Sequence, residues 1–346
     1  MTLTRSVAAL LVAGLVPAVA AAQAPPPVPA PPPAHARSSG GWLDHFEDSR
    51  RGPETTERWS KSFKVGPSGS LDLNNVSGAV VVTGGPGDEI KVDAVKRVRA
   101  RDAGAAKALL GELTIEAVET AGRLEIRTVY PRGRDVHAQV DYTLQVPTGA
   151  AVAIHTVSGD VHASKVKGET RLESVSGSII ASGLTLVTKL KSVSGDVELT
   201  DGGGADGVSL GSVSGGLVVR RFKARAIDAQ TVSGDVRLED VSCDRAAAKS
   251  VSGDVHFEGP FAKAGRYEFT SHSGDVRVAV GNATGFEITA NSFSGDVRSE
   301  LPGFKPPSND DGRPGRREVR ATIGDGSALV VVKTFSGDLL VTGPKK

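Results

Sequence analysis

The residues best suited to chemistry in this chain are aspartates. Seven of them close the triplets Ser158-Gly159-Asp160, Ser194-Gly195-Asp196, Ser233-Gly234-Asp235, Ser252-Gly253-Asp254, Ser273-Gly274-Asp275, Ser294-Gly295-Asp296 and Ser336-Gly337-Asp338. Three chemistries suit such a column of carboxylates. They could accept backbone N–H groups at a chain corner, as Asx turns do, with an Arg or His two places on balancing the charge. They could bind calcium, which takes about six to eight oxygens from converging ligands. They could serve as acid and base on a polysaccharide, with Asp235 and Arg237, or Asp254 and His256, as candidate pairs. Recurrence weighs against the last two, because each repeat offers one carboxylate and an active site is a unique constellation. Ser178, Gly216 and Ala79 also interrupt the series. The corner role is therefore preferred, with no catalytic residue, no cofactor and no metal assigned. Calcium stays open, and the loop TDGGGADG with Asp201 and Asp206 is its other candidate place. His155 and His162 flank one corner but lack a third ligand, so they are taken as a solvated pair.

The elements that carry these aspartates follow from the spacing. The Ser of each Ser-Gly pair falls at 77, 158, 176, 194, 214, 233, 252, 273, 294 and 336, with steps of 18 to 21 from Ser158 to Ser294. A period near 20 marks stacked coils, that is, a solenoid. The last gap, of 42, leaves room for two turns. Alternation assigns the faces. Leu172, Leu190, Ala229 and Phe269, then a small hydroxyl residue, then the Ser of the pair, share the inward parity, and Glu173, Lys191, Gln230 and Thr270 share the outward one. Beyond the Gly, Val161, Val197, Val236, Val255 and Val276 point in, while His162, Glu198, Arg237, His256 and Arg277 point out. An apolar residue five places further on, as in Val166, Leu184, Phe222 and Val241, predicts a short third side. The Gly is expected where the chain turns sharply and a Cβ would clash. The hydroxyls beside it are expected to bond to backbone or to the neighbouring coil.

One column stands out on the outside. The residue before each Ser is Val157, Val175, Val193, Val213, Val232, Val251, His272, Phe293 or Phe335, an apolar ribbon. It is either strand-forming residues with no further role or a strip that docks a partner or a second copy, for which Val193, Val213, Val232, Val251, His272, Phe293 and Phe335 are the candidates.

The rest of the chain frames this array. MTLTRSVAALLVAGLVPAVAAAQA reads as a secretory signal peptide, residues 1–22, so the mature protein is expected outside the cytoplasm, periplasmic or at the surface. Residues 23–60 read as a Pro-rich and polar tether, 61–150 as an irregular β cap, and 151–346 as the repeat solenoid. Within the cap, DAGAAKALLGEL predicts a short helix and TIEAVETAGRLEIRTVY a hairpin turning near Ala121-Gly122. Lys plus Arg at 41 against Asp plus Glu at 40 leaves no net field for nucleic acid. No segment after the signal is apolar enough to span a bilayer, and a single cysteine, Cys243, leaves no partner for an intrachain disulfide.

These residues carry a resemblance. The SVSGDV repeats, the entry DYTLQVPTGAAVAIHTVSGDV, the opening SLDLNNVSGAVVVTG and the closing IGDGSALVVVKTFSGDLLV resemble the bacterial Ser-Gly-Asp-repeat family of candidate adhesins, over roughly Ser62 to Gly343. The resemblance implies an exported all-β, parallel β-solenoid and no catalytic residues. The expected function is a non-enzymatic envelope or surface module with a protein, a glycan or another copy as partner. A carbohydrate-active enzyme on a parallel β-helix is the alternative.

Overall fold

The computed structural model describes residues 52–131, 137–204, 206–281, 285–301 and 317–343. The segment read as a signal peptide and the Pro-rich stretch that follows it lie outside the described residues.

Among the described residues, alternating apolar residues give 26 strands, and one helix accompanies them. The chain opens with β1 (Glu54–Lys64), β2 (Ser70–Ser77), β3 (Val80–Gly85), β4 (Glu89–Arg99), helix α1 (Ala103–Glu112), β5 (Thr114–Thr120), β6 (Arg123–Val129) and β7 (His137–Pro147). Coils follow as strand pairs about a Ser-Gly corner: β8 (Ala151–Ser158) with β9 (Val161–Ser164), β10 (Glu169–Ser176) with β11 (Ile179–Ser182), β12 (Leu186–Lys191) with β13 (Val197–Gly203), and β14 (Val208–Gly211) with β15 (Leu217–Lys223). Then come β16 (Ala226–Ser233) with β17 (Val236–Ser242), β18 (Arg245–Ser252) with β19 (Val255–Gly259), and β20 (Arg266–Ser273) with β21 (Val276–Val280). Last are β22 (Gly285–Ser294) with β23 (Val297–Ser299), β24 (Arg317–Gly324), and β25 (Ala328–Ser336) with β26 (Leu339–Thr342).

Each coil gives one strand to each of two sheets. Sheet A runs β1-β4-β7-β3-β9-β11-β13-β15-β17-β19-β21-β26-β23, and sheet B runs β24-β22-β25-β20-β18-β16-β14-β12-β10-β8-β2-β6-β5. Neighbouring coils are parallel and in register, with Ser158 beside Ser176 and Val161 beside Ile179. The core is the space between the sheets. Val161, Ile179, Val197, Leu217, Val236, Val255 and Val276 form one buried column of it, and each such side chain contributes about 1.5–3 kcal/mol.

The third side forms no separate strand: in β13, β15 and β17 the same strand runs on past a bend, with Gly202 beside Phe222 and Phe222 beside Val241. Val166, Leu184, Phe222 and Val241 are buried as expected, but the chain reaches them through a left-handed residue at the same place in five successive coils. These are Lys165 (φ 59°), Gly183 (φ 63°), Asp201 (φ 53°), Arg221 (φ 48°) and Asp240 (φ 53°). A left-handed bend turns the chain within one residue, so the return needs no third strand.

Several boundaries differ from the sequence reading. Residues 54–60, given to the tether, are the first part of β1, which pairs antiparallel with β4. Strands β2 and β3, given to the cap, are a full coil whose Ser77 lies beside Ser158. The expected helix is α1, capped by Asp102, whose carboxylate accepts the Ala105 N–H at 2.8 Å. The expected hairpin is β5–β6, with Ala121 (φ 47°) and Gly122 (φ 82°) in its turn.

The largest difference lies at the C-terminus, where the gap after Ser294 does not hold two further turns. Strand β24 returns antiparallel to β22 on its outer side, and β25–β26 then slots between the β20–β21 and β22–β23 coils. Ser336 accordingly lies between Ser273 and Ser294. The link from β24 to β25 crosses the start of β22 at Gly285, where a Cβ would collide with the Asp325 N–H.

Candidate functional site

Three contacts define each corner. The first explains the glycine. A Cβ on Gly234 would lie well inside contact distance of the Gly215 carbonyl, and the same holds at Gly159, Gly195, Gly253, Gly274, Gly295 and Gly337 against the glycine of the coil beneath. Close approach of stacked backbones is thus the reason that the residue is Gly.

The second is a ladder of buried hydroxyls two places before each Ser. Ser192 donates to the Gly177 carbonyl at 2.9 Å, Ser212 to Gly195 at 3.0 Å, Thr231 to Gly215 at 2.9 Å, Ser250 to Gly234 at 2.9 Å and Ser271 to Gly253 at 2.8 Å. The Ser of the pair does not join it. Ser158, Ser194, Ser233, Ser252, Ser273, Ser294 and Ser336 are exposed, next to an exposed ribbon residue. The chain begins to turn before them, so the strand alternation stops one residue earlier than expected.

The third is the aspartate. Its Oδ1 accepts a backbone N–H of the next coil, from Ser178 to Asp160 at 2.8 Å, Gly216 to Asp196 at 2.8 Å, Asp254 to Asp235 at 2.9 Å and Asp275 to Asp254 at 2.9 Å. Through the reordered end the series continues with Asp338 to Asp275 at 3.0 Å and Asp296 to Asp338 at 2.9 Å. The caps therefore join coils, unlike local Asx turns. Arg237, Arg277 and Arg298 hold the other oxygens of Asp235, Asp275 and Asp296 at 2.6, 2.8 and 3.0 Å.

The side chains considered for catalysis or for calcium have partners within the chain. Asp235 and Asp254 have both oxygens engaged, and His256 faces Glu258 at 3.8 Å, away from Asp254. Asp201 and Asp206 go to different arginines. Arg221 grips Asp201 at 2.6 and 2.8 Å and holds its carboxyl below the usual range, while Asp206 faces Arg225 at 3.6 Å. His155 and His162 sit on the outer faces of different sheets and do not form a pair.

Residues outside the triplets complete the ladder at its N-terminal end. Asp141 Oδ1 accepts the Ala79 N–H at 2.9 Å, where a repeat aspartate would stand. The Tyr130 hydroxyl donates to Asn75 at 2.8 Å or the Ser77 carbonyl at 2.7 Å and accepts the Ser77 N–H at 3.0 Å. Burial pushes its pKa up to about 12. Asn75 takes the place of the buried hydroxyl and reaches Val140 at 3.0 Å. The sequence marked DYTLQVP only as the entry to the first regular coil, and nothing in its pattern singled out Asp141 as a corner residue.

The ribbon lies on the outer face of sheet B. Val76, Val157, Val175, Val193, Val213, Val232, Val251, Phe335 and Phe293 expose between 43% and 53% of their surface. His272, Phe335 and Phe293 stack at one end, with ring centroids 4.9 and 4.7 Å apart. From Val76 to Val251 the ribbon walls an open groove of about 1230 Å³, whose floor includes His155, Glu173, Lys191, Gln230 and Lys249. The groove is lined by recurring columns. Its Glu173 is partly buried, which would raise its pKa, but Lys189 at 2.6 Å holds the carboxyl below its ordinary range.

Among the described residues no helix is long and apolar enough to cross a membrane. No curated protein matches the chain. Solved structures with a similar course include a candidate adhesin from Bacteroides fragilis (13% identity, 82% of this chain and 97% of that one, TM-score 0.37) and a candidate lipid-binding protein from Parabacteroides distasonis (13%, 84% and 97%, TM-score 0.44). A further candidate adhesin from Parabacteroides distasonis has 13% identity over 83% of this chain and 97% of its own, with a TM-score of 0.40. The sequence profile of one family, by contrast, covers residues 70–342, the whole span of coils from the Ser77 corner to the inserted terminal one, and by that match the chain belongs to the Toastrack DUF4097 family.

Proposed function

We propose that the chain is a non-enzymatic, exported, adhesin-like module of the cell envelope that presents a repetitive strip to a protein or glycan partner. One observation carries this reading. Coil after coil spends the same exposed position on an apolar side chain, although a Thr there would suit a strand and also contact water. The aspartates support the reading by what they are used for, since they join coils and leave the ribbon as the surface feature without an internal task.

The test is binding of the purified, labelled protein to intact cells and envelope fragments, with Val193→Lys/Val232→Lys and Phe293→Ser/Phe335→Ser variants alongside. Binding is expected to fall about tenfold or more, as for residues central to an interface, while the melting temperature holds. Undiminished binding by folded variants would remove the ribbon from the function.

A further inference from the structure

The two columns that flank the ribbon are matched in charge, coil by coil. On the groove side lies the residue three places before each Ser, and on the corner side lies the aspartate. Asp235, Asp254, Asp275 and Asp296 each have an arginine on the second oxygen. Among the described residues Asp160, Asp196 and Asp338 have none, and each spends one oxygen on the neighbouring coil's N–H. Those three coils carry His155, Lys191 and Lys333 on the groove side. The remaining lysine of that column, Lys249, is already paired with Glu268 at 3.4 Å. Where the groove side carries an acid, Glu173, the corner position is Ser178, and where it carries Gly211 the corner is Gly216.

Within one chain the ribbon residue and the bend separate these partners. Among the described residues Lys191 and Lys333 form no ion pair internally, and His155, in register with Glu173 of the neighbouring coil, acts on that carboxylate by charge without a salt bridge. We propose, resting on the reading of the ribbon as a contact strip, that its occupant is a second copy of this chain, packed ribbon to ribbon about a two-fold axis that runs along the ribbon. That axis lays the groove-side column of one copy over the corner column of the other, rung for rung. His155, Lys191 and Lys333 then meet Asp160, Asp196 and Asp338 of the second copy. A two-fold axis across the ribbon would instead lay aspartates over aspartates, which costs stability. The parallel arrangement also stacks the aromatic end on itself.

The area is adequate. Ten rungs at about 4.8 Å make a strip about 43 Å long. With both flanking columns it is about 20 Å wide, so each copy covers about 800 Å², the size of a standard interface. The contact is self-complementary, as a two-fold interface requires.

The experiment is sedimentation of the mature chain with two charge variants, Lys191→Glu and Asp196→Lys. Each variant alone sets like charges against each other and is expected to dimerise about tenfold more weakly than the wild type. An equal mixture restores both pairs and is expected to recover the lost affinity. Variants with one added cysteine, Val157→Cys, Val232→Cys and Phe293→Cys, supply the orientation. All three should form disulfide-linked dimers on mild oxidation, because each rung faces itself. Cys243 is buried, with its thiol pushed up to about 12, and does not compete. A wild type that stays monomeric, a mixture no tighter than its components, or linkage at the central position alone would overturn the pairing. A monomer whose ribbon variants still lose envelope binding leaves the contact strip in place and removes the second copy. A dimer whose ribbon variants keep envelope binding does the reverse.

Discussion

The two ends of the stack are finished by opposite means. At the N-terminal end, residues foreign to the repeat imitate it: Tyr130, Asn75 and Asp141 supply the corner contacts, and β1, β4, β5 and α1 cover the edges. At the C-terminal end the full motif recurs at Ser294 and Ser336, but the later coil lies inside the earlier one. The difference teaches that a coil is recognised by its corner contacts, and that chain order is secondary. Asp275 caps Asp338, 63 residues on, at 3.0 Å, with the same geometry as Asp254 capping Asp275 at 2.9 Å.

The sharpest way to break this comparison is to block a corner in the middle of the stack. Gly234→Val drives a side chain into the Gly215 carbonyl, which neither backbone can yield without separating two coils. We expect a loss of about 3 kcal/mol or more, or failure to fold, read by urea denaturation. Gly285→Val should be comparably severe locally but confined to one end, because it obstructs the link that crosses β22. Hydrogen exchange should then show β25 and β26 unprotected while β8 to β19 stay protected. Uniform loss of protection would mean that the inserted coil is integral to the whole stack.

A smaller effect is expected where the N-terminal end imitates the motif. Tyr130→Phe removes one hydroxyl that serves Ser77 and Asn75 and should cost about 1–3 kcal/mol. A cost below half a kilocalorie would show that water replaces the hydroxyl readily and that imitation of the corner adds little. Asp235→Asn should cost less, about 1 kcal/mol. The amide oxygen still accepts the Asp254 N–H, and the lost ion pair to Arg237 is exposed. A melt in which Asp235→Asn is worse than Gly234→Val would reverse the assignment of roles at the corner.

These expectations mark what the sequence could reveal. The buried columns, α1 and the β5–β6 turn were legible because each depends on residues close in the chain: period-two alternation, an Asp cap, an Ala-Gly turn. The order of the last coils was not. Parallel coils with the same corner offer their neighbours the same contacts, so no local pattern distinguishes adjacency in space from adjacency in sequence. Strand β1 was lost because Trp59 and Phe63 are four residues apart among charged residues, a spacing that hides strand alternation. The partner of each aspartate was misread for the same reason as the coil order, since the N–H that it caps lies about twenty residues away. At the site, the ribbon was visible as a column, whereas its matched flanks emerged only when the arginines were placed.

The smallest expected effect has the opposite sign and tests whether the hydroxyl ladder matters rung by rung. Thr156 is the first hydroxyl of the ladder, and its Oγ1 is buried without a hydrogen-bond partner. By the pattern of later coils it would donate to Gly78, but that carbonyl is approached by Asn75 Nδ2 at 3.4 Å. The imitation at the N-terminal end therefore satisfies its own coil and strands the next one. Thr156→Val, of nearly the same shape, removes a hydroxyl that was desolvated without return and should stabilise by about 0.5 kcal/mol. Thr231→Val in mid-stack breaks a bond of 2.9 Å to Gly215 and should destabilise by about 1 kcal/mol. Thermal melts of the two variants should move in opposite directions. If both fall, the hydroxyl of Thr156 is satisfied in solution, and the first coil fits its neighbour as closely as the regular coils fit theirs.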